Sequence, residues 1–335
     1  MLDLTKWPAA DPVELSVVIP VYNEERNLPG LYVELTVVLS GLTEHYELIF
    51  VDDGSRDGSY EVLRELHATD KRVKVVRFRR NFGQTAAFAA GFDFAHGEVI
   101  VTLDADGQND PADIPRLIAK LHEEDYDVVV GWRVERREGF MRRLLSKSAN
   151  LIISRITDIY IHDRGCSLKV FRAELAKNIR LYGQLHRFMP EIASTVGARV
   201  LEVPVNDRQR RFGTSKYGAL SRTPRVILDL ITVFFLLGFF SSPMRFFGTV
   251  AFTSGLLGVA IDGTLALIKI VRGLTGGWEA FHAYAIGDRP LFFLGFLLIL
   301  LSVQFLMMGL LGEMIMRTYY EVQNKPTYFV RNVVD

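Results

Sequence analysis

Short runs of apolar, mostly β-branched residues alternate with longer amphipathic segments over residues 15–131. Such runs are typical of buried parallel strands, and the segments between them have the length of connecting helices. The runs predict strands at residues 15–20, 48–51, 73–78, 99–103 and 128–130. The intervening segments predict helices at residues 24–40, 59–69, 85–96 and 112–123. With two further strands at 166–171 and 199–205, the pattern indicates an α/β domain built on a mostly parallel sheet.

The last third of the chain has a different pattern, because two long apolar segments replace the alternation. Residues 244–270 and 291–316 are each long enough to span a bilayer as one helix. Residues 226–240 are also apolar but shorter, and they contain Asp229. We interpret them as an interfacial helix within a region at 219–243, with a third span as the alternative. The predicted division is a domain at 1–218, this region, two transmembrane helices within 244–316, and a tail at 317–335.

Basic residues flank the two predicted spans at one end, whereas the loop at 273–289 between the spans has almost no basic excess. The flanking residues are Arg222, Arg225, Arg245, Arg317, Lys325 and Arg331. The positive-inside rule therefore predicts an integral protein of the cytoplasmic membrane with the first domain and both termini in the cytoplasm. Lys269 and Arg272 oppose this orientation unless their side chains snorkel outward. Inside the spans, Asp262 and Glu313 are either functional or hydrogen bonded between the helices, or Glu313 lies near the cytoplasmic interface.

Composition narrows the function without identifying it. The chain has 39 basic and 39 acidic residues, so it lacks the basic excess of a nucleic-acid-binding protein. Its single cysteine, Cys166, excludes an internal disulfide and fits a reducing compartment. The first twelve residues lack the apolar core of a signal peptide, consistent with a cytoplasmic first domain.

The candidate chemistry begins where the fourth predicted strand ends, at Asp104 and Asp106. The carboxyl ends of parallel strands are where open α/β sheets bind ligands. Two carboxylates this close repel each other unless a cation lies between them, and Mg²⁺ commonly binds carboxylates together with substrate phosphates. The pair therefore suggests a nucleotide diphosphate site. The alternative is structural: Asp106 and Gly107 would form a turn, and Asp104 would cap a helix.

Polar residues also follow the first and second strands. Asn23 and Glu24 come after the first strand, and the sequence Asp52-Asp53-Gly54-Ser55 comes after the second. An ionised aspartate is a pure acceptor, which suits the imino group of a base or ribose hydroxyls. A turn followed by a helix cap explains any one of these motifs, but it explains three converging strand ends less well.

These motifs resemble those of inverting family 2 glycosyltransferases with the GT-A fold. The resemblance rests on P-V-Y-N-E-E at 20–25, V-D-D-G-S-R-D-G-S at 51–59 and D-A-D-G-Q at 104–108. Three later segments, at 165–172, 210–217 and 308–314, resemble the polyprenyl-phosphate glycosyltransferases. Within that group, the likeness is closest to the undecaprenyl-phosphate formamido-arabinose transferases. The resemblance covers nearly the whole chain and implies a Rossmann-like catalytic domain followed by membrane helices.

The resemblance assigns roles on the donor side of a nucleotide-sugar transferase. It implies that the nucleotide is bound by Pro20, Tyr22, Asn23, Glu24, Asp52, Asp53, Gly83 and Asp104. Asp104, Asp106 and Gln108 would ligate Mg²⁺ or Mn²⁺ against the diphosphate. Many relatives have Leu and Asp where this chain has Gly107 and Asn109, which changes the loop but removes no ligand. Arg133 would face the sugar diphosphate, or else be an ordinary surface arginine.

On the acceptor side, the resemblance implies a polyprenyl phosphate of the undecaprenyl or dolichyl type. Arg210, Ser215 and Lys216 would bind its phosphate, with a patch that attracts anionic lipid as the alternative. A phosphomonoester is largely dianionic at neutral pH, so it can attack without losing a proton. Asp163, which matches a proposed base of some relatives, is then a positioning residue or a weak base. His186 and Arg187 would line an acceptor groove, although a surface helix start fits His186 better.

The leading hypothesis is thus a metal-dependent enzyme in a bilayer, with Asp106, Asp163 and Arg210 as catalytic candidates. Its partners are a nucleotide sugar, most readily UDP-linked, and a polyprenyl phosphate, and some relatives form homo-oligomers such as tetramers. The alternatives are a processive polysaccharide synthase and an inert membrane adaptor that retains the fold. The sequence does not identify the sugar.

Overall fold

The computed structural model describes residues 12–134, 159–179, 181, 185–210, 239 and 242–323 of the chain. It consists of two compact units, Met1–Leu237 and Gly238–Asp335.

The first unit alternates strands and helices, as the apolar pattern predicts. Its strands are β1 (Leu15–Val21), β2 (Tyr46–Asp52), β3 (Val73–Arg77), β4 (Val99–Thr102), β5 (Val128–Trp132), β6 (Lys169–Arg172) and β7 (Val200–Pro204). Its helices are α1 (Leu28–Ser40), α2 (Ser59–Thr69), α3 (Gln84–Phe94), α4 (Ile114–Glu123), α5 (Ala173–Asn178) and α6 (Met189–Thr195). Two short 3₁₀ helices, Pro111–Asp113 and Leu185–Phe188, precede α4 and α6.

The seven strands form one sheet in the order β3-β2-β1-β4-β6-β5-β7. All neighbours are parallel except β6, which pairs antiparallel with both β4 and β5. The predicted α/β class and mostly parallel sheet are therefore confirmed. Because β1, β2 and β4 are adjacent and parallel, their carboxyl ends lie at the same edge of the sheet.

Helices cover both faces of the sheet, which is why the central strands are apolar on both sides. One core packs α1, α2 and α4 against the sheet, with Leu35, Leu63 and Leu117 fully buried. The other packs α3, α5 and α6 against the opposite face through Phe88, Ala176 and Met189.

Helix α1 begins at Leu28, four residues later than the predicted start at residue 24. The residues before it are held as a loop: Asn23 has a left-handed backbone, with φ of 54°, and the Glu24 amide donates to Ser59 Oγ at 2.9 Å. Pro29 then lies in the first turn of the helix, where its missing N–H costs nothing.

The second unit is a pair of long helices, α7 (Pro243–Ala283) and α8 (Pro290–Gln323). The segments Pro243–Ala283 and Pro290–Met316 have mean hydropathies of 1.7 and 2.5 and are long enough to cross a membrane. The predicted loop at 273–289 is wrong in its first part, because helix continues to Ala283 apart from a break at Gly277, where φ is 77°. The predicted interfacial helix at 226–240 lies outside the described residues, except for Phe239.

The two long helices approach closely at glycines. A Cβ added to Gly258 would lie 2.6 Å from the backbone carbonyl oxygen of Gly295, so only glycine fits at this crossing. A Cβ on Gly295 would meet the Asp262 carboxylate. One oxygen each of Asp262 and Glu313 is buried without a hydrogen-bond partner among the described residues. Those two atoms thus do not make the interhelical hydrogen bonds considered above.

The crossing generates a test by substitution. Gly258→Leu places a side chain against backbone and should destabilise the helix pair by about 2 kcal/mol, a typical cost of overpacking. Thermal unfolding of the full chain in detergent measures the effect. Gly263→Leu is the matched control, since a Cβ there meets nothing within 4 Å. Equal destabilisation by both changes would contradict the assigned crossing.

Candidate active site

Loops that follow β1 and β2 are tied together at the carboxyl edge of the sheet. The Asn23 amide donates to Ser55 Oγ at 3.0 Å, and Asn23 Oδ1 accepts the Arg56 amide at 2.7 Å. Glu24 accepts a hydrogen bond from the Asn27 side chain at 2.6 Å. The predicted motifs after the first and second strands are therefore hydrogen bonded to each other.

Asp52 and Asp53 end β2 but have different surroundings. Asp52 is fully buried; it accepts the Ser55 amide at 2.9 Å and pairs with Arg77 at 3.5 Å. Asp53 accepts the amides of Phe82 and Gly83 at 2.6 and 2.9 Å. Burial raises the pKa of Asp53, although the two amides act in the opposite direction. Both carboxylates thus already have local partners, and Asp53 shapes the loop that leads into α3.

A cleft of about 520 Å³ opens beside these loops. Four of its nine lining residues are arginines, which gives it the charge needed for an anionic ligand. The lining residues are Tyr22, Gly54, Ser55, Arg56, Arg77, Phe78, Arg79, Arg80 and Asn81. The sequence analysis identified Tyr22, and Arg56 lies in the motif at 51–59, but Arg77, Arg79 and Arg80 were missed. Their signal was the basic run R-F-R-R at 77–80 at the end of a strand.

Gly54 is required where the cleft turns. Its φ is +68°, and a Cβ there would lie 2.5 Å from the Arg80 carbonyl carbon. Only glycine combines this backbone conformation with such a close approach.

Asp104 and Asp106 lie at the end of β4, on the same edge of the sheet. Gln84 Nε2 donates to Asp104 Oδ1 at 2.6 Å. The Gln108 amide donates to Asp106 Oδ1 at 3.0 Å, and Arg210 Nη2 donates to Asp106 Oδ2 at 2.5 Å. Burial raises the pKa of Asp104 to about 6, and the neighbouring charge of Asp106 adds to this.

The structural alternative for this pair is partly correct. Asp106 accepts an amide two residues later, and Gly107 has φ of +73°, so a turn does form. Asp104 does not cap the following 3₁₀ helix, because Asp110 does so by accepting the Ala112 amide at 2.9 Å. The turn and a ligand site are compatible, since the turn fixes the loop on which Asp106 lies.

The donor set fits a hard divalent cation that is completed by a substrate. Within the described residues, no three His, Cys, Asp or Glu side chains are grouped as a metal site. Two carboxylates and the nearby Gln108 leave several coordination positions for diphosphate oxygens and water, as Mg²⁺ and Mn²⁺ sites commonly do. Burial and the charge of Asp106 raise the pKa of Asp104, and a cation bound between the two carboxylates would act in the opposite direction.

Arg133 and Asp163 form a buried ion pair, and Arg133 interacts with Asp104 in the carboxylate loop, residues 104–109. Arg133 Nε and Nη2 donate to the two oxygens of Asp163 at 2.7 and 3.1 Å. Their side chains are only 10% and 6% exposed, so the alternative of a surface arginine is wrong. Although burial opposes it, Asp163 raises the pKa of Arg133. Asp163 also accepts the Gly165 amide at 3.1 Å, so both of its oxygens already have donors.

The segment after β7, residues 205–210, is hydrogen bonded to the carboxylate loop. The Arg208 amide donates to the Gln108 carbonyl at 2.9 Å, and Asn109 and Asp207 form an isolated antiparallel bridge. The Arg208 side chain pairs with Glu34 and Asp110 at 2.6 and 2.5 Å. Of the predicted acceptor-binding residues, Arg210 is thereby brought to the site, while Ser215 and Lys216 lie outside the described residues.

The burial of two polar residues, Lys169 and His186, was not predicted. Lys169, in β6, is 2% exposed and donates to the Cys166 carbonyl; burial lowers its pKa. His186 is buried, with its Nδ1 2.7 Å from Thr85 Oγ1, so the predicted surface position is wrong. The lysine within an apolar strand was a visible signal, whereas nothing local indicated the contact between His186 and α3.

The chain belongs to glycosyl transferase family 2, whose description matches residues 16–180. Two curated relatives match almost the full length. One is the dodecaprenyl-phosphate galacturonate synthase of Rhizobium johnstonii, 41% identical over 332 residues, 97% of this chain and 95% of the relative. The other is the undecaprenyl-phosphate 4-deoxy-4-formamido-L-arabinose transferase of Yersinia pestis, 36% identical over 327 residues with the same coverage of 97% and 95%. The galacturonate synthase is the more similar of the two.

A solved structure shares the fold. Glucosyl-3-phosphoglycerate synthase from Mycobacterium tuberculosis, in complex with Mn²⁺, UDP and phosphoglyceric acid, superposes with a TM-score of 0.51. The match covers 66% of this chain and 78% of that chain at 18% identity, which supports the GT-A fold alone.

The buried histidine generates a pH prediction. Burial, with the charges of Arg187 and Lys169, lowers the pKa of His186 to about 3. The unfolded chain binds a proton below about pH 6.5, whereas the folded chain does not until about pH 3. Above pH 6.5, His186 therefore does not lower the free energy of unfolding. Between pH 6.5 and about pH 3, it lowers this free energy as the pH falls, by up to about 1.4 kcal/mol per pH unit.

We expect His186→Gln to remove this component of the acid sensitivity between pH 6.5 and pH 4. Urea unfolding of the full chain in detergent, at several pH values, measures the slope. His122→Gln, at an exposed position of α4, is the control and should retain the wild-type slope. A wild-type slope in His186→Gln would contradict a neutral buried histidine.

Proposed function

We propose that the protein transfers a sugar from a nucleotide sugar to the phosphate of a polyprenyl phosphate and releases the nucleoside diphosphate. The observation that carries the proposal is the carboxylate pair at the end of β4, in a chain similar over nearly its full length to two polyprenyl-phosphate sugar transferases. The two relatives are named for different sugars, so the proposal covers the class of reaction and leaves the sugar open.

The donor occupies the carboxyl edge of the sheet in this proposal. Its nucleoside, uridine by the motif resemblance, lies in the cleft beside Tyr22 and Ser55. Asp52 is fully buried and would support the cleft by holding the Ser55 amide. The cleft arginines attract the diphosphate, and Arg133, held by Asp163, faces the sugar diphosphate. Asp104, Asp106 and Gln108 would hold Mg²⁺ or Mn²⁺, which supplies charge stabilisation for the departing diphosphate.

The acceptor needs little acid–base chemistry. A polyprenyl phosphate is largely dianionic above its second pKa of about 6, so its oxygen can attack the anomeric carbon directly. The enzyme then has to bring the two reactants together in line and exclude competing water. Arg210, with Ser215 and Lys216, would hold the phosphate as cationic and hydroxyl partners. Asp163 is best assigned as a positioning residue, because its carboxylate is engaged by Arg133 and Gly165.

The two apolar helices suit an acceptor whose hydrocarbon chain lies in a bilayer. The basic residues that precede the first apolar helix and follow the second support an orientation with the catalytic unit and both termini in the cytoplasm, where nucleotide sugars are available.

The test uses purified full-length protein with Mg²⁺ or Mn²⁺, a short polyprenyl phosphate and a panel of UDP- and GDP-sugars. Lipid-dependent release of a nucleoside diphosphate is expected for at least one donor. Asp106→Ala should lower turnover by at least about 100-fold, because it removes a ligand of the ion that stabilises the leaving group. Thermal unfolding checks that the variant remains folded.

Glu123→Ala removes an exposed carboxylate of α4 and is the matched control with wild-type turnover. An inert adaptor would bind nucleotide but would show no turnover with any combination of metal ion, nucleotide sugar and polyprenyl phosphate. Release of nucleoside diphosphate in Asp106→Ala at the wild-type rate would contradict the assigned site.

A further inference from the structure

Arg210 places a positive charge on the carboxylate pair. Its Nη2 is 2.5 Å from Asp106 Oδ2, and the two side chains are 26% and 9% exposed. Burial opposes the charge on Arg210, but Asp106, Glu24 and Asp104 together raise its pKa. A guanidinium thus supplies part of the charge that two neighbouring carboxylates require.

The segment that carries Arg210 does not depend on this contact for its position. The Arg208 amide, the bridge between Asn109 and Asp207, and the Arg208 ion pairs anchor it independently. The Asn206 amide also donates to the Asp113 carboxylate at 2.8 Å. The Arg210 side chain can therefore leave Asp106 while its backbone remains in place.

A divalent ion bound to Asp106 would compete with Arg210 for the same oxygen. The guanidinium cannot relieve the repulsion by losing a proton, so it must move. A phosphate group offers it a better partner, because arginine binds phosphate oxygens through two parallel hydrogen bonds. Both substrates of the proposed reaction bring phosphate to this edge of the sheet.

We propose that Arg210 is an internal stand-in for the divalent cation. When the ion binds Asp106, the Arg210 guanidinium leaves this carboxylate and binds a substrate phosphate. This inference rests on the proposed function. It makes ion binding weak in the empty protein and stronger when a phosphate is present to take the guanidinium. By linkage, ion and phosphate then favour each other's binding to the same extent.

The first experiment measures Mn²⁺ binding to the full-length protein without nucleotide, by electron paramagnetic resonance of free Mn²⁺. Arg210→Gln should bind Mn²⁺ about tenfold more tightly than wild type, the scale of a charge-assisted hydrogen bond. Arg210→Lys keeps the charge and should remain within about threefold of wild type. Arg208→Gln removes the same charge from the same segment, at a residue paired with Glu34 and Asp110, and should change affinity by less than about twofold.

Weaker or unchanged binding in Arg210→Gln overturns the inference, as does an equal gain in Arg208→Gln, which would indicate a general charge effect. Absence of Mn²⁺ binding in all four proteins overturns it as well.

The second experiment repeats the titration with UDP and, separately, with a short polyprenyl phosphate. In wild type, at least one of the two phosphate compounds should raise the affinity for Mn²⁺, and Arg210→Gln should diminish that gain. The compound that shows this effect is the one whose phosphate binds Arg210. An undiminished gain in both arms overturns the inference. If sugar transfer fails while Arg210→Gln still tightens Mn²⁺ binding, the proposed function fails and the stand-in role survives.

Discussion

The repulsion between Asp104 and Asp106 is the constraint around which the rest of the site is arranged. The pair lies at the end of a fully buried strand, where burial raises the pKa of Asp104 to about 6. The protein offsets this cost with hydrogen bonds from Gln84 and Ser167 and with the charges of Lys169 and Arg133. A site with these properties gains stability from a bound cation, because the cation relieves the repulsion between the two carboxylates.

The loop at residues 82–84 joins the two parts of the proposed donor site. Asp53 fixes the amides of Phe82 and Gly83, and the next residue, Gln84, donates to Asp104. A displacement at the nucleoside end would therefore reach the ion-binding end through three consecutive residues. This gives Asp53 a physical role in shaping the loop, beside the nucleotide contact predicted for it.

Much of the fold follows from local patterns. Apolar runs located the strands, and the lengths between them located the helices, because a parallel sheet buried on both faces leaves a strong periodic signal. Helix α7 continues to Ala283, beyond the predicted span, although Gly273, Gly276 and Gly277 follow that span; of these three glycines, only Gly277 adopts positive φ. A glycine permits a break without requiring one.

The site was predictable in its residue types but not in its pairings. Carboxylates at strand ends could be identified one by one, whereas the partners of Asp106 and Asp163 lie 104 and 30 residues away in sequence. His186 illustrates the same limit, since only its packing beside Phe88 and Thr85 buries it. Long-range contacts of this kind are set by tertiary structure, which no local pattern encodes.

In the proposed reaction, the carboxylate pair binds a divalent ion together with a nucleoside diphosphate. Electron–nuclear double resonance of the wild-type protein with Mn²⁺ and saturating UDP tests it directly, because ³¹P couples strongly only when a phosphate oxygen is bound to the ion. We predict a strong ³¹P coupling, with electron-spin properties distinct from Mn²⁺-UDP free in solution. Protein-bound UDP without any ³¹P coupling to Mn²⁺ would contradict the account.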